Sequence, residues 1–201
     1  MRITHSKVAV EDVDKPNCED WNADHVIEDL KESSGWQLVE EKEVPAESTT
    51  TTFTSLNGDL DGKYKLEYEL DIVSGGLERF LKMQPNNDTV AGYRNTAHTF
   101  SYSGGSPGHT SLIAKGGHVF LLGSTWGDAN TKIEGEAIIR AVSGKRRKME
   151  VKVSQSYDDN NFGEDNVLTY WLDTASNITS LVILISGGTF SGNIKLYKWN
   201  D

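Results

Sequence analysis

The chain has 201 residues, 36% of them apolar, with 19 glycines and a formal net charge of -10. That length holds one large all-β domain plus a short extra segment, and glycine-rich, modestly apolar composition suits short strands with many turns rather than long amphipathic helices. The acidic balance excludes general nucleic-acid affinity, which needs a positive footprint, and no run approaches the ~20 apolar residues of a membrane span, so neither a nucleic-acid partner nor membrane insertion is expected.

Residues 1–34 differ from the rest. They are polar and acidic, and Ile3, Val8, Val10 and Val13 are too sparse to build a core. The opening, MRITHSKVAVEDVDK, lacks the apolar centre of a signal peptide; the expectation is synthesis in a cytoplasm, with retention there or release by lysis inside a particle. The lone cysteine, Cys18, excludes an intrachain disulfide framework and reads as an inert thiol. Asn17 would cap a helix over Glu19–Lys31, with Trp21, Val26, Ile27 and Leu30 biased to one side. The segment reads better as an extended arm ordered by a partner or by the body of the protein.

From Gly35 onward strand signals recur. Trp36–Val44 alternates loosely, and Ser48–Leu56 is a run of threonines around Phe53. Asn57-Gly58-Asp59 and Asp61-Gly62 are turns. Tyr64, Leu66, Tyr68, Leu70 and Ile72 alternate with Lys65, Glu67, Glu69 and Asp71, the pattern of a half-buried antiparallel strand. Leu77–Met83 follows a Gly75-Gly76 turn, and Pro85–Asp88 is a loop. Tyr93–Tyr102 is polar and aromatic, Gly104–Gly108 a loop, and Val119–Leu122 a short core strand. Ile133–Val142 and the return through Met149, Val151 and Val153 flank a Ser143-Gly144-Lys145 turn, and Asp158–Gly163 is a loop before Val167–Leu172. Leu181–Ile185, five large apolar residues bounded by turn signals, reads as a buried core strand; Ile194, Leu196 and Tyr197 rebuild an apolar segment after Ser186–Thr189. Eight to ten strands at this spacing predict an all-β fold, an antiparallel β-sandwich of jelly-roll type over residues 35–201, preceded by an N-terminal arm over residues 1–34.

Chemistry-bearing patterns are few. Asn57–Gly62 matches N-x-D-x-D-G, the first half of a calcium loop, but the closing ligand position is Tyr68, so a tight polar turn is the stronger reading. Asp158, Asp159, Glu164 and Asp165 crowd one loop, read as solvated rather than calcium-binding. Lys145-Arg146-Arg147-Lys148 reads as a solvated hairpin tip, with a salt bridge to an acidic neighbouring subunit as the second reading. No metal-ligand spacing among the five histidines, no nucleophile elbow and no phosphate loop occurs; no catalytic residue, metal or cofactor is expected. Tyr93, Phe100, Tyr102 and Trp126 lie in polar, loop-rich segments, where exposed rings stack on sugars or anchor a protein partner, while Trp36, Trp171 and Trp199 fall in strand patterns and read as core or edge packing.

Ile3-Thr4-His5-Ser6-Lys7-Val8 followed by Asp20-Trp21-Asn22-Ala23-Asp24-His25-Val26 resembles the leader of tailed-phage structural proteins. Gly35–Leu38, Leu56–Gly62, Asn177–Leu181 and Gly192–Lys198 extend the resemblance more loosely over nearly the whole chain. It implies a non-enzymatic virion component on a jelly-roll-like sandwich: a capsid decoration, tail adaptor or short fibre or knob, made in a host cytoplasm and carried in the virion. It also implies that the arm is the particle-docking part, with Trp21, Asn22, Asp24, His25 and Val26 as its contacts to other virion proteins. Virion positions are symmetric, so a homo-oligomer is expected, with a trimer favoured. The alternative is a receptor-binding module that recognises a host-surface glycan through the loop aromatics. An enzyme acting on surface polysaccharide ranks third, because no constellation supports one.

Overall fold

The structure, a computed structural model, describes residues 35–73, 79–89, 92–103, 106–117, 120–125, 131–158 and 161–200. Trp36–Trp199 forms one compact unit; of the other, Met1–Gly35 with Asn200–Asp201, only Gly35 and Asn200 are described. The expected arm, its helix, Cys18 and the docking residues Trp21, Asn22, Asp24, His25 and Val26 therefore lie outside the described residues, as does Trp126.

The chain runs β1 (Gly35–Ser48), β2 (Thr50–Phe53), the single-turn helix α1 (Gly58–Asp61), β3 (Lys63–Val73), β4 (Arg79–Pro85), β5 (Tyr93–Ser103), β6 (Ser106–Gly117) and β7 (Phe120–Thr125). It continues through β8 (Thr131–Arg140), β9 (Arg147–Asp158), β10 (Asn161–Trp171), β11 (Leu181–Ile185) and β12 (Thr189–Asn200). One sheet has the order β1-β12-β3-β8-β9-β10-β5-β6 and the other β2-β11-β4-β7. All described pairings are antiparallel.

The strand order is that of a jelly roll. With the hairpins β5–β6 and β9–β10 set aside, eight strands remain: β1, β2, β3, β4, β7, β8, β11 and β12. The first of these pairs with the eighth, the second with the seventh, the third with the sixth and the fourth with the fifth. That is one long antiparallel ribbon folded back on itself. The ribbon rolls up through the contacts β12–β3 and β11–β4, which leave four strands in each sheet. The two set-aside hairpins join side by side through β10 and β5, and extend the first sheet beyond β8.

Alternation decides which side chains line the interior. On β3, Tyr64, Leu66, Tyr68, Leu70 and Ile72 are buried, and Lys63, Lys65, Glu67, Glu69 and Asp71 take the opposite face. Ile133, Ala137 and Ile139 on β8 and Met149, Val151 and Val153 on β9 continue the same inner face. From the smaller sheet come Phe53, Leu81, Met83, Leu181, Ile183 and Ile185. Burying a large apolar side chain stabilises by roughly 1.5–3 kcal/mol.

Three features depart from expectation. Leu181–Ile185 is central in its sheet as expected, yet Val182 and Leu184 are only half-buried, because a sandwich layer packs on one face. β6 occupies a segment without a strand signal. The Asp158–Gly163 loop is shorter than expected, since β9 runs to Asp158 and β10 starts at Asn161.

Candidate binding face

The outer surface of the larger sheet, over β1, β12, β3 and β8, gathers half-exposed aromatic and charged side chains. At its lower end Trp36 of β1 meets Trp199 of β12 edge-to-face, with ring centroids 5.2 Å apart. Lys63 Nζ lies 5.2 Å from the Trp199 ring centre. Lys65 Nζ serves two rings, 4.7 Å from Tyr197 and 5.4 Å from Trp36. β12 places these rings: Ile194 and Leu196 are buried, so Tyr197 and Trp199 take the outer side of the strand's last turns of alternation.

Lys65 also ties the rings to a row of carboxylates. Its Nζ donates to Glu67 Oε1 at 2.6 Å and lies 4.0 Å from Glu136 Oε2. The Lys65 ammonium holds the Glu67 carboxyl below its ordinary range. Partial burial, and secondly the carboxylate of Glu67, push the Tyr197 phenol up. Glu67 pairs directly with Glu136 across β3 and β8, and Glu69 with Glu134. Like charges so opposed are destabilising, and Lys65 offsets the first pair. Among the described residues no ion pair holds Glu69 or Glu134. On the far side Asn193 Nδ2 donates to Glu41 Oε1 at 2.8 Å, and Lys195 Nζ lies 3.6 Å from the same oxygen.

Two open clefts follow this row. One, of about 390 Å³, is lined by Glu41, Glu67, Glu69, Glu134, Asn193 and Lys195 among others. The next, of about 550 Å³, shares Glu69 and Asn193 and continues to Pro45, Asp71, Lys132 and Ser191. Gly192, at φ 127°, forms part of its floor, and a Cβ there would collide with the Glu69 carbonyl oxygen. That close backbone approach admits only glycine.

The aromatic residues expected to make contacts fare differently. Tyr93 is buried, 1% exposed, and stacks on Trp171 with centroids 6.5 Å apart, while its hydroxyl points at the Asp88 carbonyl oxygen. It belongs to the core and offers no exposed ring. The alternation on β5 that buries Ala97 also turns Tyr93 inward. The side chains of Phe100 and Tyr102 lie outside the described residues; their backbones pair with Glu164 and Phe162 of β10.

The basic tetrad does not form one solvated tip. Lys145 and Arg146 are exposed, whereas Arg147 begins β9, is 0% exposed, and packs its guanidinium 4.7 Å from the Trp171 ring centre. Tyr93, Trp171 and Arg147 are consecutive cross-strand neighbours, so one inward-facing row continues across β5, β10 and β9. Burial pushes the Arg147 guanidinium below its ordinary range, while the charges of Asp173 and Asp59 act in the opposite sense. No hydrogen-bond acceptor meets its three nitrogens among the described residues.

Of the two acidic patterns, Asn57–Gly62 is engaged structurally, while Asp159 and the side chain of Asp158 lie outside the described residues. Asp61 Oδ2 accepts from the Tyr64 hydroxyl at 2.5 Å, and Asp59 Oδ1 accepts from Ser143 N at 2.6 Å. Asn57 Oδ1 accepts from Leu60 N and from Asn177 Nδ2. Asn57–Gly62 is thus a capped turn that clips the β8–β9 connection to the β10–β11 segment. Glu164 is exposed and Asp165 buried, on opposite faces of β10, so they do not converge on one ion. Among the described residues no group of three or more metal-ligating side chains comes together. No described helix is long and apolar enough to cross a membrane.

No protein-family profile, no curated protein and no solved structure matches the chain.

Proposed function

We propose that the protein is a non-enzymatic assembly and attachment module, a virion structural component that docks to its particle through residues 1–34 and presents the sandwich outward. The observation that carries this reading is the jelly-roll strand order, an architecture recurrent in viral capsid and lectin domains. The leader's resemblance to tailed-phage proteins supplies the second support. In this reading the partners are other virion proteins and further copies of this chain. Electron micrographs of purified particles labelled with an antibody to the sandwich test it. Label at one symmetric set of positions on the particle is the expected result, and particles without label would end the reading.

A further inference from the structure

We propose that the outer face of β1, β12, β3 and β8 is a binding strip for an uncharged oligosaccharide. Trp36, Tyr197 and Trp199 form its stacking end, and Glu41, Glu69 and Asn193 its hydroxyl-binding middle. The inference goes beyond the assembly reading, since a chain that lost this strip would still join particles.

Three observations lead to that ligand class. First, a sugar ring offers an apolar C–H face and a rim of hydroxyls, and the strip matches both in sequence along one surface. Half-exposed rings stand at one end. Two clefts that share Glu69 and Asn193 continue from it. Second, the polar groups are of both kinds. Carboxylates accept, the Lys195 and Lys132 ammoniums donate, and the Asn193 amide and Ser191 hydroxyl do both. A hydroxyl is satisfied by either kind. Third, both signs of charge meet on the strip: Lys63, Lys65, Lys132 and Lys195 stand among Glu41, Glu43, Glu67, Glu69, Asp71, Glu134 and Glu136. A polyanion meets the carboxylates and a polycation meets the lysines, so like-charge contacts penalise both. A neutral polyol meets no such penalty. From residue 63 to residue 71 the strip runs about 26 Å along β3, enough for several rings.

The clefts are pre-formed. Gly192 holds β12 against the β3 backbone, and Glu69 and Glu134 stand opposed and exposed, with no ion pair to either among the described residues. A ligand hydroxyl that donates to either carboxylate would offset part of their repulsion.

Affinity electrophoresis of the full chain in native gels tests this. The gels contain dextran, starch, galactomannan or xyloglucan as neutral polymers and alginate as the polyanion. Retardation is expected in at least one neutral polymer and none in alginate. Trp199→Ala and Glu69→Ala should each weaken the retarding interaction at least tenfold. Phe162→Ala, which removes an exposed ring on β10 of the same sheet, should leave it unchanged. Should Trp199→Ala lose its cooperative melt, Tyr197→Ala and Glu69→Gln take its place. Three outcomes overturn the proposal: no retardation in any neutral polymer, retardation in alginate alone, or retardation that survives Trp199→Ala with Glu69→Ala. Abolition by Phe162→Ala would also overturn it, by moving the site off the strip.

Discussion

Tyr68 should hold the two sheets in register through its hydroxyl. The β4–β7 ladder slips between Leu81 and Lys82: Leu81 pairs with Gly123 and Lys82 with Leu121, so Leu122 is the extra residue of a bulge. Its carbonyl accepts from the Tyr68 hydroxyl, which crosses from β3 at 2.6 Å. The ring needs room on the way, and Gly135, its cross-strand partner on β8, provides it: a Cβ there would sit 2.5 Å from Tyr68 Cζ. Tyr68→Phe removes only the donor and strands a buried carbonyl, a loss of about 1–3 kcal/mol. At this chain length that lowers Tm by roughly 2–12 °C. Gly135→Ala should cost at least as much, since overpacking of about 1–3 kcal/mol adds to the broken bond. The two effects share one cause, so they must not add. In a Tyr68→Leu background Gly135→Ala should become nearly neutral, a coupling of at least about 1 kcal/mol. Urea melts of the four variants measure it. Additive losses, or a Tyr68→Phe protein as stable as the parent, would refute the bulge-capping argument.

Arg147→Met should leave stability within about 1 kcal/mol of the parent, because loss of a desolvated cation–π contact is offset by removal of a buried charge that meets no hydrogen-bond acceptor among the described residues. Arg147→Ala should lower it by about 2–5 kcal/mol through the cavity it opens. A Met variant that loses as much as the Ala variant in urea melts would show that the guanidinium itself is required. Gly192→Ala should destabilise by more than about 1 kcal/mol, since φ 127° and the Glu69 carbonyl both oppose a Cβ; a thermal melt superimposable on the parent's would contradict this. Hydrogen bonds from Ser143 to Asp59, from Lys65 to Glu67 and from the Ser176 side chain to Asp173 hold these carboxyls below their ordinary values of 3.8 and 4.5. Depressed carboxyls stabilise fully above their unfolded values and lose that contribution as pH falls through the folded ones. Tm followed by circular dichroism should therefore hold down to about pH 5 and decline below it, and a Tm constant from pH 5 to pH 2 would contradict the assignment.

Much of the sandwich was legible where one face is buried and the other wet. The β3 alternation from Tyr64 to Ile72 gave both the strand and its inward set, and β11 announced itself by five apolar residues. β6 was not legible. Ser106–Gly117 carries Pro107 and three glycines, which local propensity reads as loop. It is a strand because it lies at the sheet edge, where a missing donor faces away from the ladder and pairing with β5 supplies the rest. The rolled order of the sheets had no local signal, since β1 and β12 pair across nearly the whole described chain.

The binding face was partly legible. Attention to loops favoured Tyr93, which the core claims; core or edge packing was expected of Trp36 and Trp199, and they pack on each other at the sheet edge while remaining half-exposed on its outer surface. Counting alternation outward from buried Leu196 places Tyr197 and Trp199 correctly. The same count backward from Met149 turns Arg147 inward, although its basic neighbours suggest a solvated tip. The meeting of Trp36 with Trp199 depends on the β1–β12 pairing and is invisible in either segment alone.

The central claim, that this is a jelly-roll module docked to a particle by its first residues, is tested most directly by deleting residues 1–30 and following the chain during particle assembly. The account predicts a soluble protein with β-rich circular dichroism and a cooperative melt, absent from purified particles that contain the full-length chain in a parallel preparation. Normal incorporation of the truncated chain would contradict it.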